Sequence, residues 1–174
     1  MMSESFEFRQ VSHFTAGTIG EPGNRTFFLQ VGDGSSVATV RLEKQQVRAL
    51  AQFLRDVLED LPATGQQPSA PLIEPTHPAW TVGQIAVGVD EADAEVVLVI
   101  EELLLGDEDV DGLDIGDDLD DLEDGTGAKI RAHIGAAQAA GFIAASDELM
   151  EGGRPPCRLC GQPLDPGHVC PRLN

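Results

Sequence analysis

The sequence predicts an α+β domain: an antiparallel sheet from two βββα units with two helices packed on it, followed by a C-terminal zinc knuckle. Three observations lead there. The apolar periodicity changes from strand spacing to helix spacing once in each half of the chain. Laying "ATVRL" over "AKIRA" puts Arg41 on Arg131 and Phe53 on Ile143 at one constant offset, as an internal repeat would. All three cysteines fall within residues 157–170, with a histidine between the last two.

The elements follow in order. "SFEFRQVSH" alternates and reads as a strand, and "RTFFLQV" reads as another. "GDGS" is a hairpin turn leading to a third, in which Ala38, Val40 and Leu42 alternate. Val47, Leu50, Ala51, Leu54, Val57, Leu58 and Leu61 then recur at helical spacing, and Pro62 stops the helix. Residues 62–79 form a Pro-rich connector without periodicity. "WTVGQIAVGV" and "AEVVLVIEEL" are strands across a "DEAD" turn. "AKIRAHI" places Ala128, Ile130, Ala132 and Ile134 on one face. A last helix starts near Ala136, with Ala139, Phe142, Ile143, Ser146, Leu149 and Met150 on its inner stripe. The organisation expected is a domain over 1–151 and a zinc-knuckle tail over 152–174.

At 174 residues the chain is long enough for one ordinary domain with its own core plus a small appendage. The longest apolar run suits a buried strand, not a membrane span, and "MMSESFEFRQ" lacks the features of a secretory signal. Three clustered cysteines argue against a disulfide framework, so a cytoplasmic location without membrane attachment is expected. Net charge is −19, unevenly spread: residues 56–128 hold 21 of the 30 acids and no Lys or Arg. Such a field repels nucleic acid and anionic membranes and favours a basic partner. Nucleic acid is therefore not an expected partner, despite Arg154, Arg158 and Arg172 in the tail.

Cys157 and Cys160 form a C-x-x-C pair followed by Gly161, a spacing in which two thiolates grip one ion around a tight turn. His168 and Cys170 supply a second pair, making the four-donor set of a structural zinc site. The H-x-C half is less usual than a second C-x-x-C, and surface thiols without metal are the alternative. A thioredoxin-like pair would open a helix, whereas Gly161 and Pro163 follow here. Four good ligands leave no open position for catalysis.

Asp107, Asp109, Asp111 and Gly112 match the opening of a calcium loop, with Asp118 at its twelfth position. The twelfth residue is not Glu, the eighth is Asp114 where an apolar residue is usual, and no helix leads in. The segment 106–127 therefore reads as a mobile, solvated acidic loop. "GTIGEPGNR" lacks the lysine and following helix of a phosphate loop and reads as a structural turn; the functional alternative is a small-ligand loop with Arg25 as anion partner. Strand alternation turns Arg41, Lys129, Arg131 and His133 away from the helices. Arg9, Arg25, Arg41, Lys129 and Arg131 make a candidate anion patch, although pairing with Glu7, Glu95 or the acidic loop is the preferred account of such bases. His13 and His77 show no partner in sequence.

"GTIGEPGNRTFFLQ", "RLEKQQVRALA" and "GRPPCRLCGQPLDPGHVCPRLN" together resemble a mainly actinobacterial family, the domain of unknown function 3090 family. The resemblance carries over to Gly20, Glu21, Pro22, Gly23 and Arg25, and to Cys157, Cys160, His168 and Cys170. Two departures stand out: one residue fewer between Pro166 and His168, and a more developed acidic stretch. The family has no established activity; its members' tendency to be encoded near phosphomutase-like and kinase-like proteins implies a shared pathway. The expectation from all this is a zinc-stabilised, non-enzymatic module that binds a protein partner. The alternative is a small enzyme or binding protein for an anionic, phosphorylated metabolite.

Overall fold

Asp33 sets one tight reversal of the chain. Its Oδ1 accepts the N–H groups of Ser35 and Ser36 at 2.9 and 3.0 Å and the Ser35 hydroxyl at 2.7 Å. The Ser35 hydroxyl and the two amides hold this carboxyl below its ordinary pKa. The computed structural model describes residues 3–62, 65–104, 115–116, 126–164 and 167–173. After a short β1 (Phe6–Phe8), the strands β2 (His13–Ile19), β3 (Thr26–Gly32) and β4 (Val37–Leu42) form an antiparallel meander, and α1 (Lys44–Glu59) follows. The second half repeats the plan. β5 (Val82–Asp90) and β6 (Glu95–Glu102) precede a two-residue β7 (Ile115–Gly116), then β8 (Lys129–Gly135) leads into α2 (Ala136–Glu151). β5, β6 and β8 are again an antiparallel meander.

The α+β class and both βββα units stand as expected, but the strands divide between two sheets. The three-stranded sheet is β2-β3-β4; the other is mixed, in the order β1-β8-β6-β5-β7. β1 leaves its sequence neighbours and pairs in parallel with β8, Phe6 opposite Ile130. β7 pairs in parallel with β5 at the other edge. A bridge from Arg41 to Thr81 joins the sheets, with the Arg41 N–H donating to the Trp80 carbonyl at 3.0 Å. The strand expected over 5–13 is also two: the chain bends after Phe8, and β2 begins at His13 and takes in Gly17–Ile19. Part of the acidic segment 106–127 is thus a strand; Asp107, Asp109, Asp111 and Asp118 lie outside the described residues.

Each helix crosses to the other unit. α1 packs against α2 and β5, while α2 packs against β2, where Phe142 stacks on Phe14 with ring centroids 4.6 Å apart. The third residue of each helix is a glutamine that caps its own helix and ties it to the opposite unit. Gln46 Oε1 accepts the Glu43 N–H at 2.8 Å, and its amide donates to the carbonyls of Val82 and Gly83 at the start of β5. Gln138 Oε1 accepts the Gly135 N–H at 3.0 Å, and its amide donates to Val11, just before β2, at 2.7 Å. The predicted stripes face inward: Val47, Leu50 and Leu54 from α1, Ala139 and Phe142 from α2, with Leu29, Val40, Leu98 and Ile130 from the two sheets, share one buried core. Burying each large apolar side chain contributes about 1.5–3 kcal/mol. Among the described residues no helix is long and apolar enough to cross a membrane.

Ser146 is fully buried on the inner stripe of α2, and its hydroxyl has no hydrogen-bond partner among the described residues. A buried orphan hydroxyl costs about 1–3 kcal/mol, so Ser146→Ala is expected to raise stability by about 1 kcal/mol in urea unfolding. A loss of stability would mean that the hydroxyl has a partner.

The connector has no helix or strand in its described residues 65–79, yet it is a strap rather than a loose link. It crosses the outer face of the three-stranded sheet. Leu72 fills the space over Gly17, where an added Cβ would come 2.5 Å from Leu72 Cγ. The Ser69 hydroxyl donates to the Phe14 carbonyl, and the Gln67 N–H donates to Ala137 in α2 at 2.9 Å. A Cβ on Gly141 would overlap the Gln67 carbonyl oxygen. Alanine in a helix interior usually gains up to about 1 kcal/mol over glycine. Gly141→Ala reverses that sign, with an expected loss of about 1–3 kcal/mol and release of the strap, read as protease sensitivity near Gln67. A stabilised, protease-resistant variant would show that the strap does not rest on α2.

Candidate metal centre

The tail begins where α2 ends. The Gly152 N–H donates to Glu148 at 2.9 Å, and Arg154 Nε donates to the Pro22 carbonyl at 3.2 Å, fastening the tail to the glycine turn at 20–25. A small hairpin follows. The Leu164 N–H donates to Pro155 at 3.0 Å, the Cys157 N–H donates to Gln162 at 2.7 Å, and Pro156 bridges to Pro163. The Gly161 N–H donates to the Cys157 carbonyl at 2.8 Å, closing the C-x-x-C-G turn. That turn needs φ +75° at Gly161, a left-handed conformation that glycine adopts without a Cβ penalty. Arg172 Nη1 donates to the Leu159 carbonyl at 3.0 Å and holds the last residues over the hairpin.

These turns bring the four predicted ligands together. One donor atom from each of Cys157, Cys160, His168 and Cys170 lies within 4.8 Å of the others. Cys157 Sγ and Cys170 Sγ are 3.8 Å apart, and Cys160 Sγ is 3.5 Å from His168 Nε2. A tetrahedron with metal–sulfur bonds of about 2.3 Å and a metal–nitrogen bond of about 2.0–2.1 Å has edges of about 3.8 Å between sulfurs and about 3.5 Å between sulfur and nitrogen. Both separations fit. The four residues are therefore close enough to bind one metal ion. Cys157 and Cys170 are buried, and Cys160 and His168 partly so.

The backbone favours thiolate at the first ligand. The N–H groups of Cys160 and then Leu159 point at the Cys157 sulfur and lower its pKa from 9.0 to about 6. At Cys170 the Arg172 N–H pulls the same way, but burial and the neighbouring Cys157 and Cys160 sulfurs outweigh it and push that thiol up. Crowding three sulfurs around one point raises the cost of ionising them all. A bound cation removes that cost.

The candidate anion patch is distributed over separate surfaces. Lys129 and Arg131 lie on the outer face of the mixed sheet, with Glu7 opposite Arg131 and His133 Nδ1 3.6 Å from Glu95. Arg9 pairs with Glu7 at 2.8 Å. Arg41 lies on the outer face of the other sheet, and Arg25 lines a cleft at the base of the tail. Lys44 and Arg154 join Arg25 there; as single residues in distant segments they carry no sequence signal for it. His13 proves to have a partner, its Nε2 meeting Gln30 Oε1 at 3.1 Å, which requires the Nε2–H tautomer.

Fold and site together define an α+β protein of two intertwined βββα units carrying a Cys3His cluster that could hold a metal ion. Residues 6–170 match the family described as Protein of unknown function (DUF3090), and the chain belongs to it. No curated protein and no solved structure matches the chain significantly.

Proposed function

We propose that the Cys3His knuckle holds a structural zinc ion and that the protein is a non-enzymatic module that binds a protein partner through the zinc-braced tail. The carrying observation is what the knuckle displays. Leu159, Leu164, Val169 and Leu173 are all exposed, Val169 by 87%, around four donors turned inward. Three thiolates and an imidazole saturate zinc, so the metal has no position left for a substrate and serves to hold the display rigid. Apolar side chains on a rigid exposed frame suit a protein surface better than they suit water. The charge of −19 directs the choice of partner toward a basic protein.

A photo-crosslinking residue placed at Leu173 tests this in the native host. One crosslinked basic protein is expected, lost in a Val169→Asp, Leu164→Asp variant that still carries one zinc per chain. Crosslinks unchanged by that variant would refute the assigned surface.

A further inference from the structure

The cleft at the base of the tail has the composition of a binding site. It has a volume of about 510 Å³, within the range of about 300–1,000 Å³ usual for small-molecule sites. Its bases come from three separate segments: Arg25 from the glycine turn, Lys44 as the first residue of α1, and Arg154 from the tail. Glu151 is the one acid among the described residues of its lining, in a chain whose net charge is −19. Phe27, Leu149, Met150, Pro156 and Pro163 make the apolar remainder.

The backbone is bare where the charged heads lie. A Cβ on Gly23 would overlap the Arg154 guanidinium. One on Gly152 would stand 3.5 Å from Arg25 Nη1, and one on Gly153 4.0 Å from Lys44 Nζ. Gly23 also takes φ +92°, so the turn and the room for Arg154 both require glycine there. The wider groove of about 880 Å³ beyond Arg25 has the opposite balance, with Glu74 and Glu148 against that single base among its described lining residues.

We propose that this cleft binds a small molecule bearing a phosphate group, the phosphate held by Arg25 and Lys44 beside the anchored Arg154, and the rest of the molecule lying on Phe27, Met150 and the two prolines. Two guanidinium forks and an ammonium suit a dianionic oxyanion with three acceptor oxygens. The proposal rests on the zinc reading, because the metal-held tail supplies Arg154, Pro156 and Pro163.

The test uses the full chain, its zinc content measured first, titrated separately with inorganic phosphate, glycerol 3-phosphate and citrate while backbone amide shifts are followed. Saturable shifts at Gly23, Gly152 and Gly153 are expected with both phosphates. Arg25→Gln and Lys44→Gln should each weaken glycerol 3-phosphate binding about ten-fold or more, and Arg9→Gln should leave it unchanged. No saturable shift, shifts with citrate alone, or equal binding in the Arg25→Gln, Lys44→Gln double variant would each overturn the proposal. A chain without zinc would instead count against the knuckle reading, so the two failures are told apart by the metal content.

Discussion

Cys160→Ser in the full chain is expected to lose its metal and the order of the tail from Pro155 onward, while both sheets stay folded. The reason is the imbalance between what the tail and the domain bury. The two sheets and both helices share one apolar core that includes no cysteine. The knuckle has its turns, the Pro156–Pro163 bridge and two buried thiols, and its larger apolar side chains point to solvent. A peptide with so little core takes its fold from metal binding, worth about 10–16 kcal/mol at neutral pH for comparable zinc sites. Removing one of three thiolates leaves an incomplete set with a weak oxygen donor in its place. Metal analysis should fall from about one zinc per chain to none, and amide signals of residues 155–173 should collapse toward unfolded positions while those of Leu98 and Ile130 stay. Full retention of zinc, or unfolding of the core together with the tail, would contradict this.

Gln30→Leu is expected to cost about 3–5 kcal/mol, since each orphaned buried polar group costs about 1–3 kcal/mol. Gln30 is fully buried in the middle of β3, and its side chain spends every bond on the strap and the neighbouring strands. Its amide donates to the Ile73 carbonyl at 2.7 Å and to Thr39 Oγ1 at 3.0 Å; its oxygen accepts the Ile73 N–H at 2.9 Å and His13 Nε2 at 3.1 Å. The Thr39 hydroxyl passes the chain on to the Pro75 carbonyl at 2.9 Å. Leucine fills similar volume but leaves these groups unpaired under the strap. Urea unfolding measures the loss, and hydrogen exchange at Ile73 shows the strap lifting. A loss under about 1 kcal/mol would mean that water replaces the network.

The legible parts of this protein were those whose signal is local. Both helices show in the sequence because their stripes must face a core at every turn, and they occupy Lys44–Glu59 and Ala136–Glu151. The knuckle shows because four ligands within fourteen residues leave few other readings. What stayed hidden depends on distant segments. Three residues of β1 carry no information about whether they pair with β2 or with β8, and packing decides for β8. Gln30 reads as the polar half of an alternating strand; its partner Ile73 is 43 residues away. Gly17 reads as part of a glycine-rich loop but lies in β2, where the missing side chain leaves room for Leu72. The cleft needs Arg25, Lys44 and Arg154 together, and only the folded chain joins them.

X-ray absorption at the zinc edge of the purified full chain tests the central claim most directly. Three sulfur neighbours at about 2.3 Å and one nitrogen at about 2.0–2.1 Å, with no exchangeable oxygen, are the predicted shell of a closed structural site. Fewer than three sulfurs, or a bound water oxygen, would contradict it and make the metal an open, reactive centre.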